Sequence, residues 1–276
     1  MLDAFAYPVS ALMALWHDLL STVLPPGSGA AWVGSILLLV GTIRLLLLRS
    51  SWTQLRTSRQ LAALRPRLAA LKEEHGQDQA AYLEAVRQLR RQEGVGAAGC
   101  LPLLAQVPVF LGLYHLLARF AAVDLPGSNG VFTADQVRSF AHATVFDVPL
   151  AAAVRSPATV LESLAPGLVT ADVLVVALPL LLVAALATFG NGLLAARRQR
   201  ATADDPDDPV ALAMRRVTEV LVWVGPLGVL AGGLLYPVPV ALLLYWAVNG
   251  TWTWVQTAVL HRCLDRSTGR APLAPG

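Results

Sequence analysis

Residues 30–48, AAWVGSILLLVGTIRLLLL, hold a single charged side chain, Arg44. About 20 apolar residues in a helix span a hydrocarbon core of roughly 30 Å. A guanidinium inside such a span costs at least about 2.5 kcal/mol. Arg44 therefore constrains everything around it, and two readings stand. The other spans enclose it in a hydrophilic pocket that receives polar parts of another polypeptide. Alternatively it snorkels to the cytoplasmic surface: Arg49 is five residues on, about 8 Å along a helix axis.

The rest of the 276 residues supports a membrane setting. Charged residues make up 14% of the chain, hydrophobic ones 55%, and mean hydropathy is +0.57; a soluble domain carries about 25% charge. The fold class expected is an all-α polytopic membrane protein with one membrane domain. No cofactor or metal is expected. His, Cys, Asp and Glu do not fall at metal-ligand spacing, and phosphate-binding loops, nucleophile elbows and zinc-protease helices are missing from the sequence. Cys100 and Cys263 are assigned to the membrane and to the far cytoplasmic end, too far apart for a disulfide.

Basic residues alternate along the chain and set its direction. None precedes Arg44. Nine follow the first span, from Arg49 to Arg91, five lie between Arg197 and Arg216, and three end the chain at Arg262, Arg266 and Arg270. The long loop after the second span has only Arg138 and Arg155. Positive residues stay in the cytoplasm. Five spans are expected, N-terminus out and C-terminus in, at about 30–48, 99–122, 171–196, 217–235 and 238–260. Topology accounts for these charges without nucleic acid, and no nucleic-acid role is assigned.

Residues 1–29 are read as an extracytoplasmic amphipathic helix and linker, without the basic start and cleavage site of a signal peptide. Pro8 can open the helix. Leu12, Leu15, Trp16, Leu19 and Val23 form an apolar side, with Ser10, His17 and Asp18 elsewhere. Trp32 and Trp52 mark the interfaces of the first span. The insert 53–93 suggests an antiparallel helical hairpin, kinked at Pro66. Its seams are Leu61, Leu64, Leu68 and Leu71 against Tyr82, Val86 and Leu89, around the breaker His75-Gly76-Gln77-Asp78. It is either a solvated topology signal or a docking arm. Pro102 and Pro108 should bend the second span. The outer loop 123–171 reads as short helices and turns, with Val145–Val154 on its surface. The acidic run Asp204-Asp205-Pro206-Asp207-Asp208 lacks the glycine and terminal Glu of an EF-hand and reads as a solvated loop. Residues 30–262 thus form the membrane core, and 263–276 a short cytoplasmic tail.

Depth selects the candidate site. With the spans in these directions, Arg44, Gln106, Asn191 and Gln256 fall in the cytoplasmic half, and Asn249 nearer the middle. Facing one another, they would line a pocket open to the cytoplasm and closed outside. Taken singly, the amides could instead be interhelical glue worth about 1 kcal/mol each.

Three stretches carry a family resemblance. Gly99-Cys100-Leu101-Pro102-Leu103-Leu104-Ala105-Gln106-Val107-Pro108-Val109-Phe110 resembles the second-core-span signature of the YidC family of membrane protein insertases. Leu244-Tyr245-Trp246-Ala247-Val248-Asn249, with Gln256 downstream, is similar to its last span. Thr42-Ile43-Arg44 ahead of Leu64-Arg65-Pro66-Arg67-Leu68 is similar to its groove arginine and basic hairpin. The resemblance implies a five-helix core enclosing a hydrophilic groove in the inner leaflet of a bacterial cell membrane. Arg44 would be the groove arginine and Gln106, Trp246, Asn249 and Gln256 its polar neighbours. Newly made membrane proteins and the lipid bilayer would be its partners. The ribosome, the signal recognition particle pathway and the Sec translocon are further partners to consider. Arg49 stands where the family often has proline. The implied activity is that of an insertase without hydrolytic chemistry. An assembly chaperone dependent on the general translocon and an anion transporter are the alternatives.

Overall fold

The computed structural model describes residues 2–75, 78–94, 111–117, 119–120, 128–201 and 209–267. Gln106, Pro102, Pro108, Cys100 and the acidic run at 204–208 lie outside the described residues, as does most of the expected second span; 111–117 and 119–120 are helical.

Helix α1 (Leu2–Leu20) precedes α2 (Gly29–Leu46), whose bounds fall within two residues of the first expected span. Ser28 caps α2 by accepting from Ala31 N. Pro8 does not open α1 but lies inside it. The exposed apolar side of α1 is the expected one, with Leu15 61% and Leu19 54% exposed. Two of its polar residues turn inward, whereas Asp18 stays exposed. Ser10 and His17 are buried; Ser10 Oγ donates to Tyr7 O at 2.9 Å and accepts from Val131 N at 3.2 Å. His17 stacks on Trp32 at 3.7 Å and donates from Nε2 to Pro26 O at 3.0 Å. Trp16 Nε1 reaches Thr42 Oγ1 at 3.1 Å. A helix that turns Ser10 and His17 into the protein and leaves its apolar side bare suits a lipid-facing place.

After one residue, Leu47, the chain continues as α3 (Leu48–Ala63), then α4 (Arg65–His75) and α5 (Gln79–Gln92). Pro66 falls in the first turn of α4, where no intrahelical N–H is lost. Asp78 caps α5 by accepting from Ala80 N and Ala81 N. Helices α4 and α5 pack together, with Leu64 buried and Leu68, Leu71, Tyr82, Val86 and Leu89 half-buried; Leu61's side chain lies outside the described set.

The described part of the loop from residue 128 to 169 is a small cap. Strand β1 (Ser128–Asn129) pairs antiparallel with β2 (Phe132–Thr133), and β3 (Thr144–Val145) with β4 (Val148–Pro149). Between them lies α6 (Ala134–His142), started by a Thr133/Gln136 capping box; α7 (Ala158–Leu164) follows. The stretch 145–154, expected on the outer surface, is corrected in part: Phe146 is 86% exposed, but the rest is largely inside. Val148, Leu150–Val154 are buried because their backbone is paired: Val240 N donates to Ala152 O and Ala241 N to Leu150 O. Trp32 is likewise no interface anchor. It is fully buried, with Phe140 at 5.2 Å, Phe132 at 5.6 Å and Phe120 at 6.2 Å, and its indole donates to Ser139 Oγ. Gly29 lets the cap sit on α2: a Cβ there would lie 1.7 Å from Thr144 O.

Helix α8 (Thr170–Ala201) packs between α9 (Pro209–Leu235) and α10 (Val240–Ser267). Small residues permit close approach: a Cβ on Gly190 would lie 2.7 Å from the Trp254 ring. Helix α9 bares Val220, Trp223, Val224 and Leu227. Among the described residues, three helical stretches are long and apolar enough to cross a membrane: Gly29–Leu46, Thr170–Arg200 and Arg215–Leu235.

At the end away from the cap, Arg59 of α3 donates to Asp265 Oδ1 of α10 at 2.5 Å and to His261 O at 3.3 Å. Arg200 of α8 and Arg215 of α9 share Glu219. Arg119, half-buried and with a polar or charged partner, stands in the stretch expected as the second span; the charge pattern had assigned it no role.

Candidate functional site

The site is built by two helices that run from the cap toward the basic end, α2 and α10. Arg44 sits near the C-terminal end of α2 and is 9% exposed. Its Nε donates to Asn249 Oδ1 at 3.0 Å, and its Nη2 donates to the same oxygen. The partners are 205 residues apart in sequence. Hydrogen bonds to a charged group are worth about 1.5–3 kcal/mol, enough to offset much of the cost of an arginine at this depth. Among the described residues no carboxylate forms an ion pair with Arg44.

Helical spacing explains what surrounds the pair. Tyr245, Asn249, Trp252 and Gln256 recur at i, i+4, i+7 and i+11, one stripe of α10. Tyr245 is buried. Trp252 Nε1 donates to Gln256 Oε1 at 2.8 Å. A cavity of about 700 Å³ opens beside the Trp252–Gln256 end of this stripe, between α10, the start of α3 at Leu48 and Leu180 and Val183 of α8. Its described wall is mostly apolar, with Leu244, Val248 and Val255; Thr251, Gln256 and the Trp252 indole supply the polar groups.

The expected site residues therefore divide. Arg44 and Asn249 are brought into direct contact, and Gln256 lines the cavity one and a half to two turns on. Asn191 faces α10 but is spent on backbone: its Nδ2 donates to Ala187 O at 2.9 Å and Gly250 O at 3.4 Å. Trp246 points away from the pair, toward Gly232 of α9, where an added Cβ would lie 3.7 Å from its ring. Gln106 lies outside the described residues. Tyr245 and Trp252 were not among the expected site residues. Stepping back four and forward three from Asn249 would have found both.

Among the described residues, no three His, Cys, Asp or Glu side chains are grouped to hold a metal ion. The arrangement can hold a fixed, buried positive charge between two helices, toward the end of the bundle away from the cap.

Comparison with known proteins places the chain. The family model for the 60Kd inner membrane protein matches residues 23–267. The chain is 37% identical over 279 residues to the membrane protein insertase YidC of Corynebacterium efficiens, covering 97% of this chain and 70% of that protein. It is 33% identical to that of Mycobacterium leprae, covering 100% of the chain and 77% of the relative. With Mycobacterium tuberculosis (strain H37Rv) the identity is 34%, over 96% and 74% respectively.

Proposed function

Because the chain belongs to the 60Kd inner membrane protein family, that of the YidC insertases, we propose that it inserts newly made membrane proteins by way of the α2–α10 site. It is a membrane protein insertase and a multi-pass protein of the bacterial inner membrane. The observation that carries the site assignment is the buried, unneutralised guanidinium of Arg44 held by a neutral amide on a neighbouring helix.

In this reading five helices cross the bilayer. Three are α2, α8 and α9; α10 is long enough at 28 residues, its polar stripe lowering its hydropathy, and the stretch 99–122 supplies the last. The N-terminus is outside and the C-terminus inside. Residues 1–29 form the outer helix and linker, 30–262 the core with its cytoplasmic hairpin 53–93, and 263–276 the tail. Support for the direction comes from Arg49, Arg56, Arg59 and Arg262, all at the end away from the cap.

The mechanism is transfer between solvents. Carrying an unpaired polar tail through hydrocarbon is costly. A hydrated groove reaching partway across, lined by Arg44, Asn249 and Gln256 and, as expected from the sequence, Gln106, shortens that path. The Arg44 charge attracts an acidic tail more strongly there than in bulk water. The client's apolar segment then leaves along the apolar wall into lipid, gaining about 25 cal/mol per Å² buried. A membrane potential, positive outside, pulls the acidic tail outward. No covalent step is required. The ribosome, the signal recognition particle pathway and the Sec translocon are proposed as suppliers of clients.

The test is insertion of a single-span client with an acidic outer tail into liposomes holding only the purified protein, scored by protease protection. Wild type and Arg44→Lys should insert it and Arg44→Ala should not. Equal insertion by all three removes the charge step. No insertion above empty liposomes replaces the autonomous insertase by a translocon-dependent chaperone.

A further inference from the structure

The expected groove arginine is not free: both its Nε and Nη2 donate to one oxygen of a residue on another helix. We propose that Asn249 is the positioning residue of the site, holding the Arg44 guanidinium oriented without neutralising it so that a client carboxylate can. The inference rests on the groove reading above and concerns how its charge is kept available.

The argument is one of donors and charge. A guanidinium has five N–H donors; Asn249 Oδ1 takes two, which leaves three, two of them on the Nη1/Nη2 edge. That edge is the one an incoming carboxylate can engage with two parallel bonds. An amide oxygen satisfies the Nε edge and stops the side chain from snorkelling to the surface, yet carries no formal charge. Aspartate, which has the same length, would place a carboxylate on the same edge and close an internal ion pair. Asn249 is itself fixed, because its own helix is tied to α8 through Asn191 and Gly250 O. Thr253 Oγ1 also donates to Asn249 O at 2.8 Å. Residue 249 is thus a specificity determinant that works through Arg44.

The test uses two single-span clients differing only in the outer tail, one acidic and one neutral and polar. Both are presented to proteoliposomes of the full chain as wild type, Asn249→Asp and Asn249→Leu. The readout is the ratio of acidic-tail to neutral-tail insertion rates. Wild type should favour the acidic tail by about tenfold, the worth of one charge-assisted hydrogen bond. In Asn249→Asp the ratio should fall to about one. Asn249→Leu, which supplies neither acceptor nor charge, should lie between. A purely structural role for Asn249 would lower both rates in proportion and keep the ratio, which overturns the proposal. If Asn249→Asp inserts neither client, Asn249→Leu decides: an unchanged tenfold ratio overturns the proposal and a reduced one supports it. A wild type without tail preference overturns the charge step of the groove reading, and this inference with it.

Discussion

The two ends of the bundle are built on opposite terms. At the cap, Trp32, Phe120, Phe132 and Phe140 are fully buried and in mutual contact, and the cap backbone is bonded to the first turn of α10. At the basic end, helices α3, α8, α9 and α10 meet through ion pairs such as Arg59–Asp265 and Arg200–Glu219, whose side chains are partly or largely exposed. Apolar contact is dense and does not tolerate gaps, whereas exposed ion pairs yield easily. A device that admits polar chain from one side only needs this asymmetry: one end that stays shut and one that can open.

Breaking the shut end should cost most. Trp32→Ala removes the centre of the aromatic cluster and should destabilise the protein by about 3–5 kcal/mol. Leu68→Ala, in the half-buried hairpin seam, should cost about 1 kcal/mol. Thermal melts in detergent, read side by side, check the contrast; equal losses would erase it.

Next comes Gly29→Ala. Its new Cβ would meet Thr144 O at 1.7 Å, so backbone must move, for about 1–3 kcal/mol. Faster proteolysis of the 128–169 cap should accompany the lower melt.

At the open end the expected effect is motion rather than melting. Arg59→Asp or Asp265→Arg should raise hydrogen exchange in α3, at about 1 kcal/mol or less after solvent screening. The double swap should restore protection. Unchanged exchange in both single variants would mean that the arm is held elsewhere. Smallest of all, Glu219→Gln should leave the melting temperature where it is, since both its arginine partners are largely exposed.

What the sequence made legible follows the same division. Periodic and local features were readable: the first span to within two residues, the hairpin turn before Asp78, the bare Leu15 and Leu19 side of α1. The inward turn of Ser10 and His17 was not, because a polar side on an interfacial helix can face water or protein with the same pattern. Nor was the cap, whose two-residue strands are too short to show alternation and whose burial depends on pairing with residues nearly ninety positions on. At the site, depth brought Arg44 and Asn249 into one list, but only the crossing of α2 and α10 makes them partners. The same crossing turns Trp246 to the other side, although it is only three residues from Asn249.

The central claim is that client chain passes along the α10 face beside Arg44. The most direct measurement is site-specific photocrosslinking to a ribosome-bound client, with the probe at Thr251 in the cavity wall or at Leu227 on the bare face of α9. The account predicts crosslinks from Thr251 to the client's tail and to its apolar segment, and far fewer from Leu227. Equal yields from the two positions, or a strong yield from Leu227 alone, would contradict it.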